Sequence, residues 1–223
     1  MFIPLRDTQP SYSKPFVTMI IIVINVLVFL FQLSLDEYSL NAFIATYGLV
    51  PDRFSAINVV TSMFLHGGWM HIIGNMWFLW IFGDNIEDIL GHGKFLIFYL
   101  LCGIVAALAQ VMLNPYSRVP MVGASGAIAG VMGSYLLKFP HARIETLAFI
   151  FIFLTRFDVP AWLMLILWFG TQLFSGVGSI GHTMVNEGGT AFFAHIGGFV
   201  AGMVLIKTMG TRENYWRRRD LHW

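Results

Sequence analysis

Between Phe16 and Leu33 the chain runs 18 residues without a charge. As a helix that stretch is about 27 Å long, enough to cross the hydrocarbon core of a bilayer. Lipid offers backbone polar groups no partner, so such a segment crosses as a helix or within a closed barrel. One run of this kind therefore sets the solvent in which the rest must fold. Five more follow: Trp69–Leu90, 95–113, a stretch from near Gly123 to Lys138-Phe139-Pro140, 160–174 and 191–209. The spacing predicts an all-α membrane protein, a bundle of six transmembrane helices. Composition agrees, with 57% hydrophobic and only 11% charged residues, against about 25% charged in soluble domains. It excludes a water-soluble globule and a disordered chain. A net charge of +1 gives no field to gather nucleic acid. The single cysteine, Cys102, cannot form an intrachain disulfide or a Cys-based zinc site and reads as a small buried hydrophobe.

Six spans put both termini on one side of the membrane. With the termini inside, 11 of the 13 Lys and Arg residues fall on the inner side and only Arg53 and Arg118 on the outer. That bias predicts an N-in/C-in orientation. It also keeps 143–157, apolar but carrying Arg143, Glu145, Arg156 and Asp158, at the inner interface rather than across the bilayer. The domain plan is a cytoplasmic segment 1–15, a six-span domain 16–209 and a basic tail 210–223, whose Arg217-Arg218-Arg219 cluster suits anionic lipid. The connection 34–61 is long enough to carry short helices of its own. The glycine-rich stretch 175–190 reads as a loop.

Polar groups inside spans are costly and mark function by default. His71 and Asn75, spaced i,i+4, share one face at the start of the second span, with His66 just before. Ser125 opens the fourth span, with Ala129 and Gly133 on its stripe and Gly126 and Gly130 beside it. His195 opens the sixth, on a stripe through Gly198 and Gly202. Singly, these read as a His–Asn pair holding helices, a Ser bonding its own backbone and a satisfied interior His. Together they differ. The second, fourth and sixth spans all start at the outer surface, so the three groups share one depth. Glycine faces let the fourth and sixth helices meet closely, bringing Ser125 within reach of His195. A serine beside a histidine base is an activated nucleophile. His71, Asn75 and the N–H groups opening the fourth span are donors for an oxyanion. No acid is placed to complete a triad, so a Ser–His dyad is expected, with no cofactor and no metal. Other readings stay open. A solute carrier would more often show inverted repeats. A metal site from His66, His71 and His195 suffers from the spacing of five, which puts the first two on different helix faces, and there is no HExxH. A catalytically dead helix-binding protein would usually lack the Ser or the His.

Four motifs stand in order on these spans: His66-x4-His71-x3-Asn75, Gly83-x3-Glu87-x3-Gly91, Gly123-x-Ser125-Gly126 and Ala194-His195-x2-Gly198-x3-Gly202. In this the sequence resembles the rhomboid intramembrane serine proteases. The resemblance implies a six-helix bundle that cleaves membrane-protein substrates within or near the bilayer. It implies Ser125 as nucleophile, His195 as general base, and His71, Asn75 and the Ser125 N–H as the oxyanion site. It makes Glu87 a structural acid at the inner end of the second span. It lays the segment after the first span partly in the membrane, makes 175–190 a loop capping the site, and sets the fifth span beside substrate entry. Helical carbonyls are already bonded, so a cleaved stretch must unwind, and transmembrane substrates with helix-destabilising segments are expected. The compact six-span form points to the bacterial cytoplasmic membrane, with an organelle membrane as the alternative. Two positions depart from the pattern. Where many relatives carry Trp-Arg in the first loop, this chain has Ile57-Asn58, with Arg53 the candidate replacement. Where some carry a Tyr one turn after the nucleophile, it has Ala129, which leaves an aromatic of the fifth span, Trp168 or Phe169, to orient His195.

Overall fold

The apolar runs become helices whose ends sit at the sequence's own punctuation. A computed structural model describes residues 2–150, 153–179 and 191–211. Along these the order is β1 (Phe2–Asp7), α1 (Phe16–Leu33), α2 (Glu37–Tyr47), α3 (Asn58–Thr61), α4 (Trp69–Leu90), α5 (His92–Leu113), α6 (Ser125–Lys138), β2 (Arg143–Ile150), β3 (Phe153–Pro160), α7 (Ala161–Ser179) and α8 (Phe192–Thr208), with short 3-10 turns at Pro51–Arg53 and Ser62–Phe64. Among the described residues, three stretches, Phe16–Leu33, His92–Leu113 and Ala161–Gly178, are long and apolar enough to cross a membrane. The loop segment 180–190 with His182, and the basic tail from Arg212 with His222, Trp216 and Trp223, lie outside the described residues.

Helix α6 is the centre. Its residues Gly126 to Tyr135 are all buried. A Cβ on Gly198 would fall on the Gly126 carbonyl, and one on Gly202 on that of Gly130, so α6 and α8 pack backbone to backbone. On another side a Cβ on Gly126 would stand 2.6 Å from Ala106 Cβ of α5, and one on Gly130 2.5 Å from Cys102. Cys102 is fully buried there, the packing atom its surroundings suggested.

The far end of α4 is polar for a structural reason. Glu87, fully buried, accepts the backbone N–H groups of Val17 and Thr18 at 2.8 Å and the Thr18 hydroxyl at 2.7 Å. It thereby caps α1, whose first N–H groups have no intrahelical acceptor. Hydrogen bonds to a charged acceptor are worth about 1.5–3 kcal/mol each. Asp88 does the same for the N–H groups of Tyr12 and Ser13, at 3.0 and 2.9 Å. His92 places Nδ1 2.5 Å from Glu87 Oε1.

The all-α expectation needs correction. Strands β1, β2 and β3 form an antiparallel sheet in that order, Asp7 opposite Ile144 and Glu145 opposite Asp158. The segment 143–157, expected at the membrane interface, is most of a hairpin. Its alternation explains this: Ile144, Thr146 and Ala148 are buried, while Arg143, Glu145 and Leu147 between them are not. Glu145 takes Arg6 at 2.7 Å and Arg156 at 3.3 Å, one from each neighbouring strand. The Trp77 indole donates to the Pro4 carbonyl at 2.6 Å and the Tyr135 hydroxyl to Asp7 at 2.5 Å, fastening the sheet to the bundle. Burial first, then the nearby Asp84 carboxylate, pushes Asp7 up to about 7.

The expected loop 175–190 also changes: 175–179 continue α7. Gly176 is buried against Phe192 and Ile196 of α8, where a closely packed apolar neighbour holds a helix together despite glycine.

Candidate active site

The chain turns sharply just before α6. Leu49 and Met121 exchange backbone hydrogen bonds at 3.0 and 2.8 Å, anchoring the approach to α6 on the end of the connection after α2. Gly123 follows at φ +118°, a conformation L side chains rarely adopt, with its N–H on the Ser62 carbonyl at 2.9 Å. A Cβ here would also stand 2.6 Å from His71 Nε2 and 3.4 Å from Asn75 Nδ2. Glycine is thus required twice, for the turn and for the approach of two side chains from α4. Two residues later Ser125 is the first residue of α6, where the leading N–H groups have no intrahelical partner.

His195 lies in the first turn of α8 and is 9% exposed. Buried Gln110 of α5 accepts the N–H of Ala194 at 3.2 Å, capping α8 where His195 sits. The glycine contact of α6 with α8 then brings His195 Nε2 to 2.8 Å from Ser125 Oγ. On the other side of the ring, Nδ1 is 2.7 Å from Gln172 Oε1 of α7. An amide oxygen only accepts, so Nδ1 carries the proton and Nε2 is left as the acceptor for the serine hydroxyl. That is the arrangement in which serine can lose a proton to histidine as it attacks a carbonyl.

The expected donors are placed by a different group. Asn75 Nδ2 is 2.9 Å from His66 Nε2. His66 is 1% exposed, and burial with the neighbouring His71 holds it down at about 4. It is neutral at physiological pH, so Nε2 accepts one Asn75 proton and leaves the second for the space at Gly123. The backbone of His66 is itself pinned by Gln32 of α1, which accepts its N–H and donates to its carbonyl, both at 3.0 Å. His71 Nδ1 accepts the Gly67 N–H at 3.4 Å, a long bond that turns Nε2 toward Gly123. A crevice of about 20 Å³, room for a water molecule, opens beside Ser125 among Ser62, Met63, Gly103, Gly123 and Ala194.

Of the two aromatics expected to orient His195, Trp168 lies 5.7 Å away at 36°, while Phe169 stacks on Phe199 at 4.4 Å. The hydrogen-bonding partner, Gln172, went unnoticed in the sequence. The signal is the polar pair Thr171-Gln172, about one turn beyond Trp168 in a largely apolar run. Asn58, in the departing Ile57-Asn58 pair, ties the end of α2 to α3 by donating to the Thr46 and Gly48 carbonyls at 3.0 and 2.9 Å. Arg53 stays on the surface.

Comparison with known proteins fits this geometry. The family described as "Rhomboid domain" matches residues 53–212, more than half of the chain. Rhomboid protein 1, mitochondrial, of Saccharomyces cerevisiae is 31% identical over 170 residues, 73% of this chain and 45% of that protein. Rhomboid protease GluP of Bacillus subtilis is 33% identical over 129 residues, 56% of this chain and 25% of its own length. The human presenilin-associated rhomboid-like protein, mitochondrial, is 31% identical over 169 residues, 73% and 40% of the two chains. The match thus spans less than half the length of each of these relatives. A glycine-forced turn before a serine, a histidine from a glycine-packed helix and a matching stretch that holds both put this chain in the rhomboid family.

Proposed function

We propose that the protein is an intramembrane serine endopeptidase that hydrolyses peptide bonds in or near transmembrane segments of membrane-protein substrates. The observation that carries the reading is the 2.8 Å approach of His195 Nε2 to Ser125 Oγ, half-buried at the start of a helix. In the reaction Ser125 Oγ attacks the scissile carbonyl and its proton passes to His195 Nε2. His71, Asn75 and the Ser125 N–H donate to the resulting oxyanion. His195 then returns the proton to the leaving amine, and a water activated in the same way hydrolyses the acyl-serine. A helical substrate has its carbonyls already bonded, so the cleaved stretch must unwind, which selects substrates with helix-destabilising residues. Substrate entry lies beside α7.

The reading includes six spans with both termini on the cytoplasmic side, a six-span domain over 16–209 between a cytoplasmic segment 1–15 and a basic tail 210–223, and residence in the bacterial cytoplasmic membrane. The 11-to-2 split of basic residues supports the orientation. Labelling with a fluorophosphonate probe tests the chemistry. Wild-type protein in lipid labels, and Ser125→Ala and His195→Ala do not. A folded wild type that never labels ends the protease reading and favours a membrane-helix-binding protein.

A further inference from the structure

His195 is held from two sides, and the second hold comes from a helix that carries neither member of the Ser–His pair. The Gln172 side chain, half-buried on α7, presents Oε1 to His195 Nδ1 at 2.7 Å. Its amide is not free to turn over. Nε2 donates to Thr171 Oγ1 at 3.2 Å, and the Thr171 hydroxyl donates to the Trp168 carbonyl at 2.6 Å. The direction of every bond follows from that carbonyl, which can only accept. Thr171 must donate to it and so accepts from the Gln172 NH2. Oε1 therefore faces His195 and takes Nδ1–H. Nε2 keeps its lone pair and accepts from Ser125. Trp168, flanking the ring, limits its tilt.

We propose that Gln172 is the positioning residue of the Ser125–His195 pair, fixing the imidazole in the tautomer that can receive the serine proton. The inference rests on the protease reading for its rate consequences and on the hydrogen-bond chain for its structural content. When Ser125 attacks, its proton moves to Nε2 and the ring becomes an imidazolium with Nδ1–H still donated to Gln172. An amide dipole stabilises that cation less than a carboxylate would, so the pair works without a third charged member. Among the described residues, the titratable group whose charge reaches His195 is His71 of α4. Because Gln172 sits on α7, any displacement of α7 relative to α8 also releases the tautomer.

The test has two arms. In the first, histidine ¹⁵N spectra of the intact wild-type protein, with His195→Ala assigning the signal, read the tautomer directly. Nδ1–H is expected, and an Nε2–H signal overturns the proposal whether or not the protein cleaves anything. In the second, kcat and KM on a transmembrane peptide are followed against pH. Gln172→Leu loses about tenfold in kcat with little change in KM, the scale of one hydrogen bond in the transition state. Gln172→Glu recovers much of that loss and moves the acidic limb of the profile to higher pH, because a carboxylate favours the imidazolium. A Leu variant within twofold of wild type, or a Glu variant that behaves like Leu, overturns the proposal. A wild type that neither labels nor cleaves removes the protease reading, and the spectra still decide the role of Gln172.

Discussion

At the residue scale, His66 and Asp7 pull against each other with pH. An ordinary histidine binds its proton near 6.5, but folded His66 does so at about 4. Between those values the unfolded chain holds more protons, so this contribution to stability is complete above pH 6.5 and lost as pH falls toward 4. It is on the order of 3 kcal/mol. Asp7 moves the other way, from 3.8 to about 7, so the folded chain holds more protons there. Its contribution is complete below 3.8 and lost as pH rises through 7. Melting temperatures in detergent from pH 4 to 8 separate the two. His66→Gln removes the component that rises with pH, and Asp7→Asn removes the one that falls. Each kcal/mol moves the midpoint by about 2–4 °C in a chain of this size. Curves parallel to wild type would disprove both assignments. Neither residue shows its role in sequence. His66 stood in a motif with no stated task, and Asp7 sat in a short polar segment whose burial only the sheet reveals.

At the scale of elements, the glycine stripes were readable and the sheet was not. Gly126 and Gly130 on one run and Gly198 and Gly202 on another announce a close helix pair, because only small residues let backbones touch. That same spacing is why Ser125 and His195 stand within a hydrogen bond of each other. The prediction here concerns Gly202, where a side chain would run into the Gly130 backbone rather than a movable neighbour. Gly202→Val costs at least about 2 kcal/mol by overpacking. Val204→Ala on the same helix, at a position 55% exposed, stays near wild type. Equal melting points for the two variants would deny the backbone contact. The strands are hard to read in sequence because the charges scattered through 143–157 fit a membrane interface as well as they fit a period of two. Gln172 is hard to read in sequence because it belongs to no motif on its own helix, and its meaning lies in α8.

At the scale of the molecule, the two ends of the bundle differ in chemistry. One holds the serine, the histidines and Gln172. The other holds the sheet and the carboxylates that cap α1 and the preceding segment. The orientation reading predicts that the first faces away from the cytoplasm. Single cysteines in a Cys102→Ala background check it, using exposed Tyr116 on the serine side and exposed His141 beside the sheet. In intact bacterial cells a membrane-impermeant maleimide modifies Tyr116→Cys and reaches His141→Cys only after permeabilisation. The reverse pattern would invert the assignment.

The pairing of β1 with β2 has a consequence for how the chain is made. Arg6 meets Glu145, 139 residues later. At about 5–20 residues per second, the first strand leaves the ribosome roughly 7–30 s before its partner exists. During that interval α1, α4, α5 and α6 are all synthesised, while an unpaired strand end waits at their border. Closing that long loop is costly in chain entropy, and it waits until α6 has been made. The sheet thus closes only after the helix that carries Ser125 has been synthesised, and it can close before α7 and α8 exist.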